Sequence, residues 1–122
     1  MTHFSAALLM SGSEGCVHVR IWDERYYICA EEVGKIVFVG DIVPLLRRAP
    51  ASAPGTVQVA GTVHLNPSGQ AVIFEIGMQR YMIPRDRFIA VALGTEISAP
   101  IFEIATDEPE PEMIVPSSGG AA

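Results

Sequence analysis

The residues of this chain best suited to chemistry are Cys16, His18, Cys29 and Glu31, gathered within one short stretch. Val17, Val19 and Ile21 alternate with Cys16, His18, Arg20 and Trp22, the period of two that marks a half-buried strand. Arg25 to Ala30 returns with Tyr26, Ile28 and Ala30 as its inward set. With a tight connection at Asp23 and Glu24, an antiparallel hairpin pairs Ile21 with Tyr26 and Val19 with Ile28, because opposite residues share a face. The same register sets His18 against Cys29 and Cys16 against Glu31 on the outward face. Two thiols, an imidazole and a carboxylate at that separation form a donor set for a soft divalent ion such as zinc. The competing reading is burial alone, since cysteine is among the most often buried residue types and needs no chemistry to explain it. The sequence therefore assigns no metal and no cofactor, with Cys16, His18, Cys29 and Glu31 kept as candidate ligands.

Catalysis finds little else to stand on. There is no glycine-rich phosphate loop, no His-Glu-x-x-His, no Cys-x-x-Cys and no Gly-x-Ser-x-Gly. His3, His18 and His64 fall in separate segments with no paired nucleophile, so no residue is assigned a catalytic role. Composition excludes further classes. Fourteen acidic residues against eight basic ones give a net charge of −6, the wrong sign for nucleic acid or an anionic membrane surface. The apolar run Phe4 to Met10 is too short for a signal core or a membrane span, and a cytoplasmic protein with reduced thiols is expected. Proteins and small molecules remain as partners.

The elements that position these residues occur twice. Tyr26 and Tyr81, Arg25 and Arg80, Ile28 and Ile83, Val17 and Val72, and Ile42 and Ile97 are identical at a spacing of 55 residues, and turns align with turns. Phe4 to Met10 reads as a strand with Phe4, Ala6, Leu8 and Met10 on one side, closed by the turn residues Ser11 to Gly15. Glu31 to Gly34 reads as a turn and Lys35 to Val39 as a β-branched strand. Ile42 to Arg48 is open between strand and helix, because Pro44 permits a helix start. Residues 49–55 form a Pro/Ala/Ser linker. In the second half Val72, Phe74 and Ile76 face inward, Gly77 and Met78 form the hairpin tip, and Tyr81 and Ile83 return. Pro84 to Gly94 carries helix signals, with proline first, Asp86 in the first turn and glycine at the end. Its counterpart contains Gly34 and Ile-Val-Phe-Val, poor helix formers, so Phe88 to Leu93 is assigned as strand. Pro100 to Ala105 adds a last strand.

The fold expected is all-β, a small barrel or sandwich of about eight or nine short strands. Residues 1–105 form one domain of two pseudo-repeats, 4–48 and 56–105, and 106–122 an acidic, proline-containing, disordered tail. The hairpins VHVRIWDERYYICAEEVGKI and VIFEIGMQRYMIPRDRFIAV resemble the opening strands of chemotaxis coupling adaptors, and Ile42-Val43-Pro44 with Ala49-Pro50 is similar to their next segment. A chain of 122 residues is too short for that two-barrel fold, and the glycine-rich continuation is missing after Val59. Arg80 to Phe88, RYMIPRDRF, is similar to a stretch of PRC-type barrels. No family is assigned on these stretches.

Two features point to partners. Trp22, Tyr27, Ile73 and Met82 fall opposite the core set, and aromatic residues are enriched in interface centres. In the tail, Glu108 to Val115 places Met113, Ile114 and Val115 after an acidic, proline-stiffened spacer, a pattern that docks on a partner as an added strand or in a groove. Apolar content is high for so short a chain, and homodimerisation would cover surface the fold leaves exposed. The function expected is a non-enzymatic interaction module. A small-ligand or metal-binding barrel is the alternative and an enzyme the third.

Overall fold

The computed structural model describes residues 7–48, 52 and 55–104. Eight strands form a closed antiparallel barrel: β1 Ala7–Ser11, β2 Val17–Ile21, β3 Glu24–Ile28, β4 Val43–Arg48, β5 Val57–Leu65, β6 Ala71–Ile76, β7 Gln79–Pro84 and β8 Ser98–Ile104. Each strand pairs with its neighbours in sequence, and β1 with β8 closes the ring. An eight-stranded barrel encloses just enough room for side chains. Here Leu9, Val17, Val19, Ile28, Leu45, Val63, Phe74, Ile83 and Ile101 occupy it, all fully buried, as period-two alternation requires.

Because neighbours are antiparallel, the connections leaving β1, β3, β5 and β7 share one end of the barrel, here the upper end. Two helical segments stop it. After β3 the chain forms α1, Ala30–Gly34, and continues through Lys35–Val39 in wider π-helical turns. After β7 it forms α2, Arg85–Leu93. Ile36, Phe88 and Val91 are buried, and the Phe88 ring lies 6.3 Å from that of Phe74 inside the barrel. The Arg85 guanidinium donates a 2.9 Å bond to the Val37 carbonyl, tying the two stoppers together.

These helices correct the expected strands at Lys35–Val39 and Phe88–Leu93 and the turn expected at Glu31–Gly34. The local signals around α2 are obeyed: Pro84 precedes it, Asp86 sits in its first turn, and Gly94 ends it at φ 85°. In the first copy the apolar run is helical because Ile36 and Val37 are buried at the barrel end, and such burial overrides weak intrinsic preference. Ile42–Arg48 resolves as strand from Val43. On β1, Ala7 and Leu9 face the core, so Leu8 and Met10 share the outer face; Phe4 and Ala6 lie outside the described residues.

Two local devices shape the second half. The register slips between Leu45 and Leu46 opposite β5, a bulge that bends the wall. There Gly61 lies so close to β6 that a Cβ would collide with the Glu75 carbonyl oxygen. The β5–β6 turn is held by Asn66, whose Oδ1 accepts from the backbone N–H of Gln70 at 3.0 Å and of Ala71 at 3.1 Å. Elements in the two halves fall in step: β3, α1 and β4 start at Glu24, Ala30 and Val43, and β7, α2 and β8 start 55 residues later at Gln79, Arg85 and Ser98.

Candidate functional site

The first hairpin turns at Trp22 and Asp23, pairing Ile21 with Glu24, Val19 with Tyr26, His18 with Tyr27 and Val17 with Ile28. The expected turn at Asp23 and Glu24 is thereby corrected by two residues in register. Trp22 adopts φ 53°, as Gly77 adopts φ 59° at the matching tip, because two-residue hairpin loops need left-handed backbone to follow the strand twist. The shift dissolves the metal donor set. His18 faces Tyr27, their ring centroids 6.2 Å apart, rather than Cys29. Cys29 lies past the end of β3, where its carbonyl accepts the N–H of Glu32 and Val33 at the start of α1. Glu31 is in α1, and Cys16 precedes β2. Both cysteines are free thiols, and no group of three or more potential ligands among the described residues could hold a metal ion.

What the corrected register assembles lies on the outside of the barrel. Met10 pairs with His18, His18 with Tyr27, Tyr27 with Leu46, and Leu46 with Val59, so one row of apolar and aromatic side chains crosses β1 to β5. All alternate with core residues and point outward. The first four are half-buried by one another and Val59 is 66% exposed. Two residues nearer the lower end runs a second row. Arg20 pairs directly with Arg25, and one step beyond the Tyr26–Arg47 pair Arg25 comes into line with Arg48. All three arginines are exposed, and no ion pair engages them among the described residues. In a chain of net charge −6, three of eight cationic side chains stand in one row beneath an apolar one.

The opposite wall repeats the upper row with different neighbours. His64 pairs with Ile73, Ile73 with Met82, and Met82 with Phe102. Below them the row reads Glu75, Arg80 and Ile104. Met82 is half-buried and Phe102 is exposed, but Ile73 is fully buried, so its expected role as a partner contact is corrected: it faces outward and is already covered. Trp22, expected on the outer face of a strand, is instead 74% exposed at the lower hairpin tip. Tyr27 lies at the centre of the first row. Met113, Ile114 and Val115 lie outside the described residues.

At the lower mouth two tyrosines from opposite sides of the ring point inward and are almost fully buried. Burial, followed by the charge of Glu24, raises the Tyr26 pKa, against the pull of the neighbouring Arg47. Tyr81 is raised by burial, then by Glu103 and by Tyr26 itself. Both phenols therefore stay protonated at neutral pH, where they act as hydrogen-bond donors rather than bases. The Tyr81 hydroxyl donates to Gln79 Oε1 at 3.0 Å, and the Arg47 guanidinium lies 3.9 Å from Glu24 and donates to Gln58 at 3.3 Å. These polar groups are spent on one another and close the mouth.

No protein-family model matches the chain, and no curated protein and no solved structure is similar enough to it to count as a match. No helix among the described residues is long and apolar enough to cross a membrane. The arginines and Leu46, Val59 and Phe102 were missed from the sequence; placing the turn at Trp22 and Asp23, 55 residues before Gly77 and Met78, brings Arg20 opposite Arg25.

Proposed function

We propose that this chain is a protein–protein interaction module, working without catalysis in the cytoplasm, with the outer wall over β2–β5 as its contact surface. The observation that carries the reading is the pair of rows there, apolar Met10–His18–Tyr27–Leu46–Val59 above cationic Arg20–Arg25–Arg48. Such a surface combines apolar contact area with charges that steer and orient a partner. A packed lumen and a self-paired mouth support this reading over a small-ligand barrel, and the scattered Cys16, His18, Cys29 and Glu31 support it over a metal site. The partner is a protein, a second copy of this chain being the simplest, and a homodimer the expected assembly. The matched starts of the two halves support their origin by duplication of one hairpin, helix and strand unit.

Sedimentation velocity of the wild type and of Val59→Glu tests the proposal. Self-association that strengthens with concentration and is lost in the variant is the expected result. A wild type that stays monomeric, and whose cross-linked protein neighbours in the cell are unchanged by Val59→Glu, would overturn it.

A further inference from the structure

We propose that the segment following β8 folds back over the first wall of its own barrel, setting Asp107, Glu108, Glu110 and Glu112 along the Arg20–Arg25–Arg48 row and Met113, Ile114 and Val115 on Tyr27, Leu46 and Val59. The inference rests on the reading of that wall as an interaction surface and makes the segment its built-in competitor.

Charge is the first argument. Arg20 and Arg25 are cross-strand partners of like sign, an unfavourable arrangement that a run of carboxylates relieves. The segment supplies four acids within six residues, in a chain whose other cations are scattered. Sequence order is the second. The segment reads acidic and then apolar, and the wall reads cationic at its lower edge and apolar above it. A chain arriving from the lower end meets the two rows in matching order.

Reach is the third argument. The last described residue, Ile104, ends β8 at the lower end, and β8 is separated from β2 and β4 by two to four strand spacings through β1, about 10–19 Å at ~4.8 Å each. Asp107 to Glu112 stand three to eight residues beyond Ile104, about 10–26 Å of extended chain at ~3.3 Å per residue. Pro109 and Pro111 favour that extended form. The second wall is a poorer match, since its lower row already joins Glu75 to Arg80. Every strand of the closed ring has two neighbours, so the segment docks through side chains and not as an added strand.

The test compares amide NMR spectra of the full chain with those of the full-chain variant Met113→Ser, Ile114→Ser, Val115→Ser, at several protein concentrations and salt levels. The expected result is a set of shift changes at Arg20, Arg25, Tyr27, Leu46 and Val59, absent from Met82 and Phe102, independent of protein concentration and reproduced by added salt, which screens the acidic half of the contact. With the tethered competitor weakened, self-association in sedimentation strengthens by about tenfold. Shift changes confined to residues 106–122, or falling on the second wall, would overturn the inference. So would changes that grow with concentration, which place the segment on another copy or on no fixed site. Failure here is separable from failure of the proposed function: loss of association in Val59→Glu without any segment contact sinks only the inference, and concentration-independent segment contact in a chain that never associates sinks only the function.

Discussion

The two outer walls of the barrel are built alike and finished differently. His18, Tyr27 and Leu46 on one wall correspond to Ile73, Met82 and Phe102 on the other, each forming a row across successive strands. On the first wall the row below is Arg20, Arg25 and Arg48; on the second it is Glu75, Arg80 and Ile104. Ile73 is fully covered, whereas His18 and Tyr27 remain half-exposed. What the walls share follows from closing a small barrel, because large side chains on adjacent strands shield one another and the backbone beneath. What differs is surplus to that need, and it makes the first wall the one equipped for a charged partner.

The interior carries an opposite asymmetry, and removing it gives the largest expected effect. Val19 and Phe74 occupy matching inward positions, but Phe74 packs against Phe88, while the residue matching Phe88 is Val33. Phe74→Ala should cost about 3–5 kcal/mol of stability through lost transfer energy and an unfilled cavity. Val19→Ala should cost about 2 kcal/mol, two buried carbons at ~0.8 each plus a small cavity contribution. Urea unfolding of both variants checks the ranking. Equal losses would mean that the two halves share one core evenly and that the aromatic contact between barrel and stopper contributes nothing of its own.

How much of this was legible in the sequence depended on the turns. The tip at Gly77 and Met78 was readable because glycine tolerates left-handed backbone without cost. The tip at Trp22 and Asp23 was not, because a tryptophan at φ 53° is uncommon and the neighbouring Asp-Glu pair is a more ordinary turn. A register error of two residues leaves inward positions inward, so the core set Val17, Val19, Ile21, Tyr26 and Ile28 was right all the same. The outer face was scrambled. Under the displaced register Arg20 opposes Tyr27 and Arg25 opposes Trp22, so no basic row forms and a false metal site does. The helix α2 was legible from Pro84, Asp86 and Gly94, and was lost only by giving more weight to the β-branched run of the other copy. That run is helical because the barrel end needs an apolar stopper, a demand that no local pattern states.

The mouth offers a second way to sharpen the comparison, with a smaller effect. Tyr26 pairs across its strand with Arg47, and Tyr81 with Glu103, so equivalent phenols sit beside opposite charges. Burial raises both from the ordinary value of 10.0, but Arg47 opposes the rise at Tyr26 while Glu103 adds to it at Tyr81. Glu103→Gln should therefore bring the Tyr81 pKa back toward its ordinary value, and Arg47→Gln should raise that of Tyr26 further. Resonances of ring-labelled tyrosine followed through an alkaline titration separate the two. The raised values also fix the direction of the stability change. The contribution of the neutral, buried phenols is fully present below the unfolded-state value of 10.0 and is lost as pH climbs through the folded-state values, so urea midpoints should fall only in that alkaline window.

The smallest effect is the one that decides whether the walls differ in kind. Arg25 and Arg80 are matching residues on matching strands, and reversing either charge is the same chemical change. On the first wall Arg25→Glu replaces a like-charge pair with Arg20 by an attractive one and should stabilise the barrel by about 0.2–1 kcal/mol. On the second wall Arg80→Glu turns the attractive pair with Glu75 into a repulsive one and should destabilise by a similar amount. Urea midpoints at low ionic strength should thus move in opposite directions and converge as salt is added. The sign carries the argument, because a position-independent cost of placing glutamate in a strand would move both the same way. If Arg25→Glu destabilises instead, Arg20 and Arg25 already have their counter-charges on the folded chain, and the first wall is no more available to a partner than the second.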